Sequence, residues 1–195
     1  YSAAPDGSTV LKLSGTLVTT GDVRGKPSWS PLSDWLVYLA LQGPGLLELH
    51  AASADGASNV KIDGTMGAFI VPGEGIELWS PLGGQLMYIY DQAADGIFDI
   101  HVWDTTSQMS TRISQAQVTG DNLPDHGIWS DDGSRIAYVF EPAGAPASLF
   151  LASADGLVNQ EITDTLLNNR PVSERFFNWS PGVEMRSDEA AFSPP

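Results

Sequence analysis

Tryptophan recurs at Trp29, Trp79, Trp129 and Trp179, each followed by serine, with 50 residues between successive copies. A fixed period of that size marks a repeat architecture, in which each unit is too small to bury its own apolar surface and must stack on its neighbours. Every copy reads alike: Trp-Ser followed by Pro or Asp, a short loop, an apolar run, an Asp-Gly-like turn, a second apolar run and a polar connection.

The runs themselves identify the secondary structure. The first unit has Trp35 to Leu41, then Leu46 to His50, then Asn59 to Ile62; the second has Leu86 to Tyr90, Phe98 to Trp103 and Thr111 to Ile113. The third has Arg135 to Phe140, Ser148 to Leu151 and Gln160 to Thr163. All are short, rich in β-branched and aromatic residues, and bounded by Gly, Pro and Asp, which is the pattern of strands, four to a unit. Several are apolar almost throughout, as expected of strands covered on both faces by neighbouring sheets. Asp55-Gly56, Asp95-Gly96, Asp132-Gly133 and Asp155-Gly156 supply the positive φ that tight hairpins require. No stretch sustains a helical period over three turns, and the chain reads as all-β.

Register extends the repeat to both ends. Tyr1 to Gly7 aligns with His50 to Gly56 and with Phe150 to Gly156, so the chain opens at a third strand, with Thr9 to Leu13 as the fourth. It closes on a first strand at Phe176 to Ser180, with Glu189 to Phe192 as the candidate second. A single domain over 1–195 is therefore expected, with full repeats at 27–76, 77–126 and 127–175 and half-units at 1–26 and 176–195. The half-units sum to one whole. That predicts a β-propeller of about four four-stranded antiparallel blades closed by the two termini; the competing arrangement is an arc of a larger propeller.

Trp129-Ser130-Asp131-Asp132-Gly133-Ser134-Arg135-Ile136-Ala137-Tyr138 resembles the TolB-type, WD-like β-propeller repeat, and the other openings keep Trp-Ser-Pro while replacing Asp-Gly. The resemblance covers nearly the whole chain. It implies the propeller architecture and no particular activity, since the repeat serves scaffolds, peptidase propeller domains and cell-surface proteins alike. The repeat here is longer than usual for that family, which implies extended loops after the fourth strand, at Asp63 to Gly75 and Ser114 to His126. Such loops gather on one face and are the natural place for recognition.

Composition narrows the partners. The 24 acidic residues outnumber 9 basic ones, giving a net charge of −15 that repels nucleic-acid phosphates and anionic lipid. That charge serves solubility, or steers cationic ligands such as Ca²⁺. No apolar stretch approaches the roughly 18 residues that would span a bilayer. The absence of Cys removes disulfides, thiol catalysis and Cys-ligated zinc together. Because the chain opens at Tyr1 rather than Met, a mature or excised product is expected.

Among candidate sites, the repeated Trp29, Trp79, Trp129 and Trp179 are expected in the core between blades, since each unit holds the same indole at one register. Trp35 and Trp103 fall outside that register and are candidates for surface recognition, for example of sugars. His50 and His101 share a slot with Tyr1 and Phe150, so aromatic packing rather than metal binding is expected of them. His126, beside Asp121 and Asp125, is the one histidine worth testing as a ligand. Asp91 to Asp99 partly matches a Ca²⁺ loop but has Ala93 at the third place, and a hairpin explains it. Asn178-Trp179-Ser180 is a formal glycosylation acceptor with an indole expected in the core.

No nucleophile elbow, zinc-binding helix, phosphate loop or dinucleotide fingerprint is present, so no catalytic residue, metal or cofactor is assigned. The sequence thus predicts a non-catalytic scaffold for protein partners, exported to the periplasm, cell surface or medium. Two rivals are the propeller portion of a larger hydrolase, such as a prolyl oligopeptidase relative, and a carbohydrate-binding propeller.

Overall fold

The computed structural model describes residues 1–17, 19, 21–41, 48–62, 69–70, 79–91, 97–116, 118 and 127–162. Three four-stranded antiparallel meanders follow one another along the chain. The first contains β3 (Val23–Trp29), β4 (Trp35–Ala40), β5 (Glu48–Ser53) and β6 (Asn59–Lys61). The second contains β7 (Phe69–Ile70), β8 (Gln85–Tyr90), β9 (Asp99–Asp104) and β10 (Ser110–Arg112). The third contains β11 (Gly127–Trp129), β12 (Arg135–Phe140), β13 (Ser148–Ser153) and β14 (Asn159–Glu161). A two-stranded pair, β1 (Ser2–Ala3) with β2 (Val10–Leu11), precedes them. Together they are an arc of β-propeller blades. The final strands expected over 176–195, Trp179 included, lie outside the described residues.

Serine after tryptophan has a local cause. In each blade its backbone N–H and C=O close the turn between the first and second strands. Ser30, Ser80 and Ser130 donate to the carbonyls of Trp35, Gln85 and Arg135 at 2.8–2.9 Å. The same serines accept from Ser33, Gly83 and Gly133, residues that hold φ of 57°, 88° and 66°. In the first and third blades the buried hydroxyl also accepts from the backbone N–H of Trp35 and Arg135, at 3.1 and 3.0 Å. A side chain one atom longer would not reach back in this way, and an apolar one would leave those donors bare. The Asp-Gly turns behave as expected at Gly56, Gly133 and Gly156, all with positive φ; Asp95-Gly96 lies outside the described residues.

One expectation needs correcting. The long connection placed at Asp63 to Gly75 contains strand: Phe69 and Ile70 pair with Tyr90 and Ile89, while Trp79 makes a separate bridge to Leu86. Pairing in the second blade thus begins before residue 77. In the first blade β3 slips register between Arg24 and Ser28 around Pro27, which cannot donate to a ladder.

Sheets stack through their apolar faces, and the alternation along each strand tells which face meets which neighbour. Leu36, Tyr38, Ala40 and Ala52 pack on Leu13 of the N-terminal segment. From the opposite face of the same sheet, Val37, Leu39, Leu49 and Ala51 meet Trp79, Leu86, Tyr88 and Trp103 of the second blade. Met87, Ile89, Ile100 and Val102 in turn meet Trp129, Ile136, Tyr138 and Phe150 of the third. Trp79 also donates its indole N–H to the Ser28 carbonyl, 3.3 Å away in the preceding blade.

Burial of the repeated indole follows the blade in front of it. Trp79 and Trp129 are 8% and 2% exposed, with a full four-stranded sheet preceding each. Trp29, which among the described residues follows the short β1–β2 pair, is 43% exposed, contrary to the core position expected of it. Trp129→Ala should therefore cost about 3–5 kcal/mol, and Trp29→Ala less than about half of that, as read by urea unfolding. Equal losses would show that the indoles do not wedge between blades.

Candidate functional site

Antiparallel meanders sort their connections between two ends. At one end lie the tight turns, bonded to each other within each blade: Ala54 donates to Asp34, Thr105 to Gly84 and Ala154 to Ser134, at 2.8–3.0 Å. At the other end lie the connection from second to third strand and the passage to the next blade. The long loops expected from the sequence belong to this second end.

The tight-turn end is acidic for structural reasons. Asp6, Asp55 and Asp155 each accept the backbone N–H two residues on, and Asp104 accepts from Thr106 and Ser107. Hydrogen bonds from neighbouring serine hydroxyls, then these backbone donors, hold the carboxyls of Asp6, Asp55 and Asp155 below the usual range, and bonds from Ser130 and Ser134 bring Asp132 to about 2. Part of the net negative charge is therefore capping chemistry. Leu32 and Leu82 stand exposed at this end, Leu32 lying against Gly83 and Leu82 against Gly133. A side chain at Gly83 would meet Leu32 at 2.8 Å, so the turns of successive blades are in contact.

Near the long-loop end, the third and fourth strands carry a recurring charged cluster. In the first blade Lys61 Nζ donates to Glu48 Oε1 at 2.7 Å, and His50 Nε2 lies 3.3 Å from Glu48 Oε2. In the second, Arg112 lies 3.7 Å from Asp99 at the equivalent places, beside His101. Burial pushes His50 down, against the pull of Glu48, and pushes His101 down to about 4. Burial alone would raise Glu48, but hydrogen bonds from Lys61 and His50 outweigh it and leave the carboxyl below its ordinary value. Ser114 donates to Asp99 at 2.8 Å and accepts from the Ile100 N–H at 3.1 Å. That hydroxyl is bonded to a carboxylate instead of an imidazole, an arrangement that holds the chain as it leaves β10.

His50 and His101 occupy the aromatic slot expected of them. His50 stacks on Tyr38 with ring centroids 5.6 Å apart, His101 on Tyr88 at 5.5 Å and Phe150 on Tyr138 at 5.4 Å, each across one strand pair. The tyrosine hydroxyls continue into hydrogen bonds. Asn159 Nδ2 donates to Tyr138 Oη at 2.8 Å and to the Ile113 carbonyl of the second blade at 2.7 Å. Asn59 makes the matching pair with Tyr38 Oη and the Leu13 carbonyl. In the second blade Ser110 stands in for asparagine and accepts from Tyr88 Oη at 2.8 Å. These polar links between blades were missed in the sequence; Tyr38, Tyr88 and Tyr138, also spaced by 50, were the available signal.

Trp103 contradicts its assignment to a recognition surface. It is 1% exposed, in the position that Ala52 and Ala152 hold in the other blades, and fills the first interface together with Trp79. Trp35 is half-buried and meets Trp103 edge-on at 5.3 Å, so the two act as a packed pair. His126 and Asn178 lie outside the described residues, as does most of the Asp91 to Asp99 loop. Of that loop's ends, Asp91 is buried and Asp99 bonds Ser114. Among the described residues no group of three or more His, Asp or Glu could hold a metal ion, and no helix is long and apolar enough to cross a membrane.

No protein-family model matches the chain, and no curated protein matches it. Solved structures do. A putative TolB from Agrobacterium tumefaciens superposes with a TM-score of 0.50 at 20% identity, over 73% of this chain and 47% of that one. TolB from Acinetobacter baumannii gives 0.44 at 18% identity, over 71% and 32%. The β-propeller domain of the Trilobed protease from Pyrococcus furiosus gives 0.45 at 13%, over 77% and 46%. The chain thus spans less than half the length of these proteins, and its fold is that of a TolB-like propeller.

Trp103→Ala should cost about 3–5 kcal/mol in urea unfolding, the loss typical of a large buried side chain. A change below about 1 kcal/mol would return Trp103 to the surface.

Proposed function

We propose that this stretch of propeller is an interaction module for protein partners, engaged through the long-loop end. The division of labour between the two ends carries the reading. The tight-turn end commits its polar groups to its own hairpins, with Ser30, Asp55, Ser130, Asp132 and Asp155 all bonded locally. Connections at the other end differ in sequence from blade to blade, on sheets whose cores are filled by side chains. A rigid scaffold presenting variable loops is how many repeat proteins bind. The acidic surface favours a partner with a basic face over nucleic acid or anionic lipid. An exported location, in the periplasm or outside the cell, accords with this reading and with the TolB-like fold.

The test is capture of a partner by the immobilised chain, followed by replacement of residues 115–125 with a short Gly-Ser linker. Loss of at least tenfold in affinity is expected, while Leu157→Ser at the tight-turn end leaves binding within twofold. Binding indifferent to the loop, or abolished by the turn substitution, contradicts the proposal. A complete reading frame joining this propeller to an α/β-hydrolase domain would replace the scaffold reading with one of gating an active site.

A further inference from the structure

Two of the three blades place a histidine where the third places phenylalanine, and both histidines sit at interfaces between sheets. We propose that His50 and His101 form an acid-sensitive switch: protonating the two rings loosens the contacts of the first and second blades with what precedes them, while the third blade stays closed.

The geometry supports this at each site. On β5, Leu49 and Ala51 face the second blade, so His50 and Ala52 face the N-terminal segment, where Leu13 and Leu17 are apolar. His50 is buried, its Nδ1 lacks a hydrogen-bond partner, and its ring lies on Tyr38. The charged groups around it are Glu48 on its own strand and Lys61 on β6, with Asn59 adjacent. On β9, Ile100 and Val102 face the third blade, and His101 and Trp103 face the first. There His101 meets Asp99 on its own strand, Arg112 on β10 and Tyr88 on β8. Among the described residues, Val37, Leu39, Leu49, Ala51 and Ile62 of the first blade pack at that interface.

A proton on either ring would add charge to a packed aromatic pair. The described carboxylates beside the rings are already engaged, Glu48 by Lys61, and Asp99 by Ser114 with Arg112 alongside. Each tyrosine beneath a histidine also holds a polar link, Tyr38 to Asn59 and Tyr88 to Ser110, and Asn59 ties the first blade to Leu13. Displacing the ring therefore disturbs the link as well as the stack.

The sign follows from the lowered values. A histidine held neutral in the folded chain and free to protonate near 6.5 when exposed gives full stability above about pH 6.5, lost as pH falls towards 4. For His101 alone, the opening equilibrium should rise about 20-fold between pH 7 and pH 5. That window lies above the range in which the capping aspartates protonate.

Hydrogen exchange by mass spectrometry, corrected for the pH dependence of intrinsic exchange, tests the switch on the whole chain. Peptides covering 85–113 should lose protection roughly 20-fold between pH 7 and pH 5 and those covering 35–62 should lose protection in the same direction, with 135–153 unchanged. The double variant His50→Phe, His101→Phe copies the third blade's own solution and should lose none. Equal loss across all three blades, equal loss in the variant, or no loss in the unmodified chain overturns the proposal. If the variant fails to fold, the contrast between blades within the unmodified chain still decides.

Discussion

A four-stranded sheet with two apolar faces is stable only between other layers, and every feature of this chain answers that requirement. The central strands β4, β8 and β12 are buried at nearly every position, and for β4 and β8 a described neighbour covers each face. Even and odd residues of one strand enter different interfaces: Leu36 and Tyr38 go one way, Val37 and Leu39 the other. Wedging an indole from the next blade into the interface fills the space that flat strands leave, and that contact fixes how successive sheets sit. The exposed Trp29 fits the same rule, since among the described residues it follows a pair of two short strands.

Polar chemistry in the blades is largely subordinate to that stacking. Serine after each tryptophan ties the turn that delivers the indole, and aspartates in the outer hairpins accept the backbone donors that the tight turns leave unpaired in the ladder. Asn59 and Asn159 link adjacent layers, as the Trp79 indole does to Ser28, each bonding a carbonyl of the preceding unit and a tyrosine of its own. The histidines then stand out as titratable groups in a slot where phenylalanine also fits. Their presence is a local cost in a scaffold that could have avoided it, which is why they, rather than the abundant carboxylates, point to regulation.

The blades were legible in the sequence because a repeat states its period, its turn chemistry and its apolar runs several times over. The shared slot of His50, His101 and Phe150 was legible for the same reason. What failed was the reading of departures from the repeat. Trp103 looked like a surface residue because it broke the indole register, yet it fills the volume that alanine leaves in the other blades. Phe69 and Ile70 looked like loop because they precede the Trp79 opening that the repeat marks, yet they pair with Tyr90 and Ile89. The asparagine links depend on which carbonyl a neighbouring blade brings within reach, 46 residues away, and no local pattern encodes that distance.

Fluorine NMR of the chain labelled with 5-fluorotryptophan, each resonance assigned by a single Trp→Phe substitution, addresses the stacking of the blades most directly. Resonances of Trp79, Trp103 and Trp129 should show almost no shift when H₂O is exchanged for D₂O, and that of Trp29 should show a clear one. If Trp79 and Trp129 respond to solvent as strongly as Trp29, the indoles are not held between sheets, and the blade stacking described for this chain is wrong.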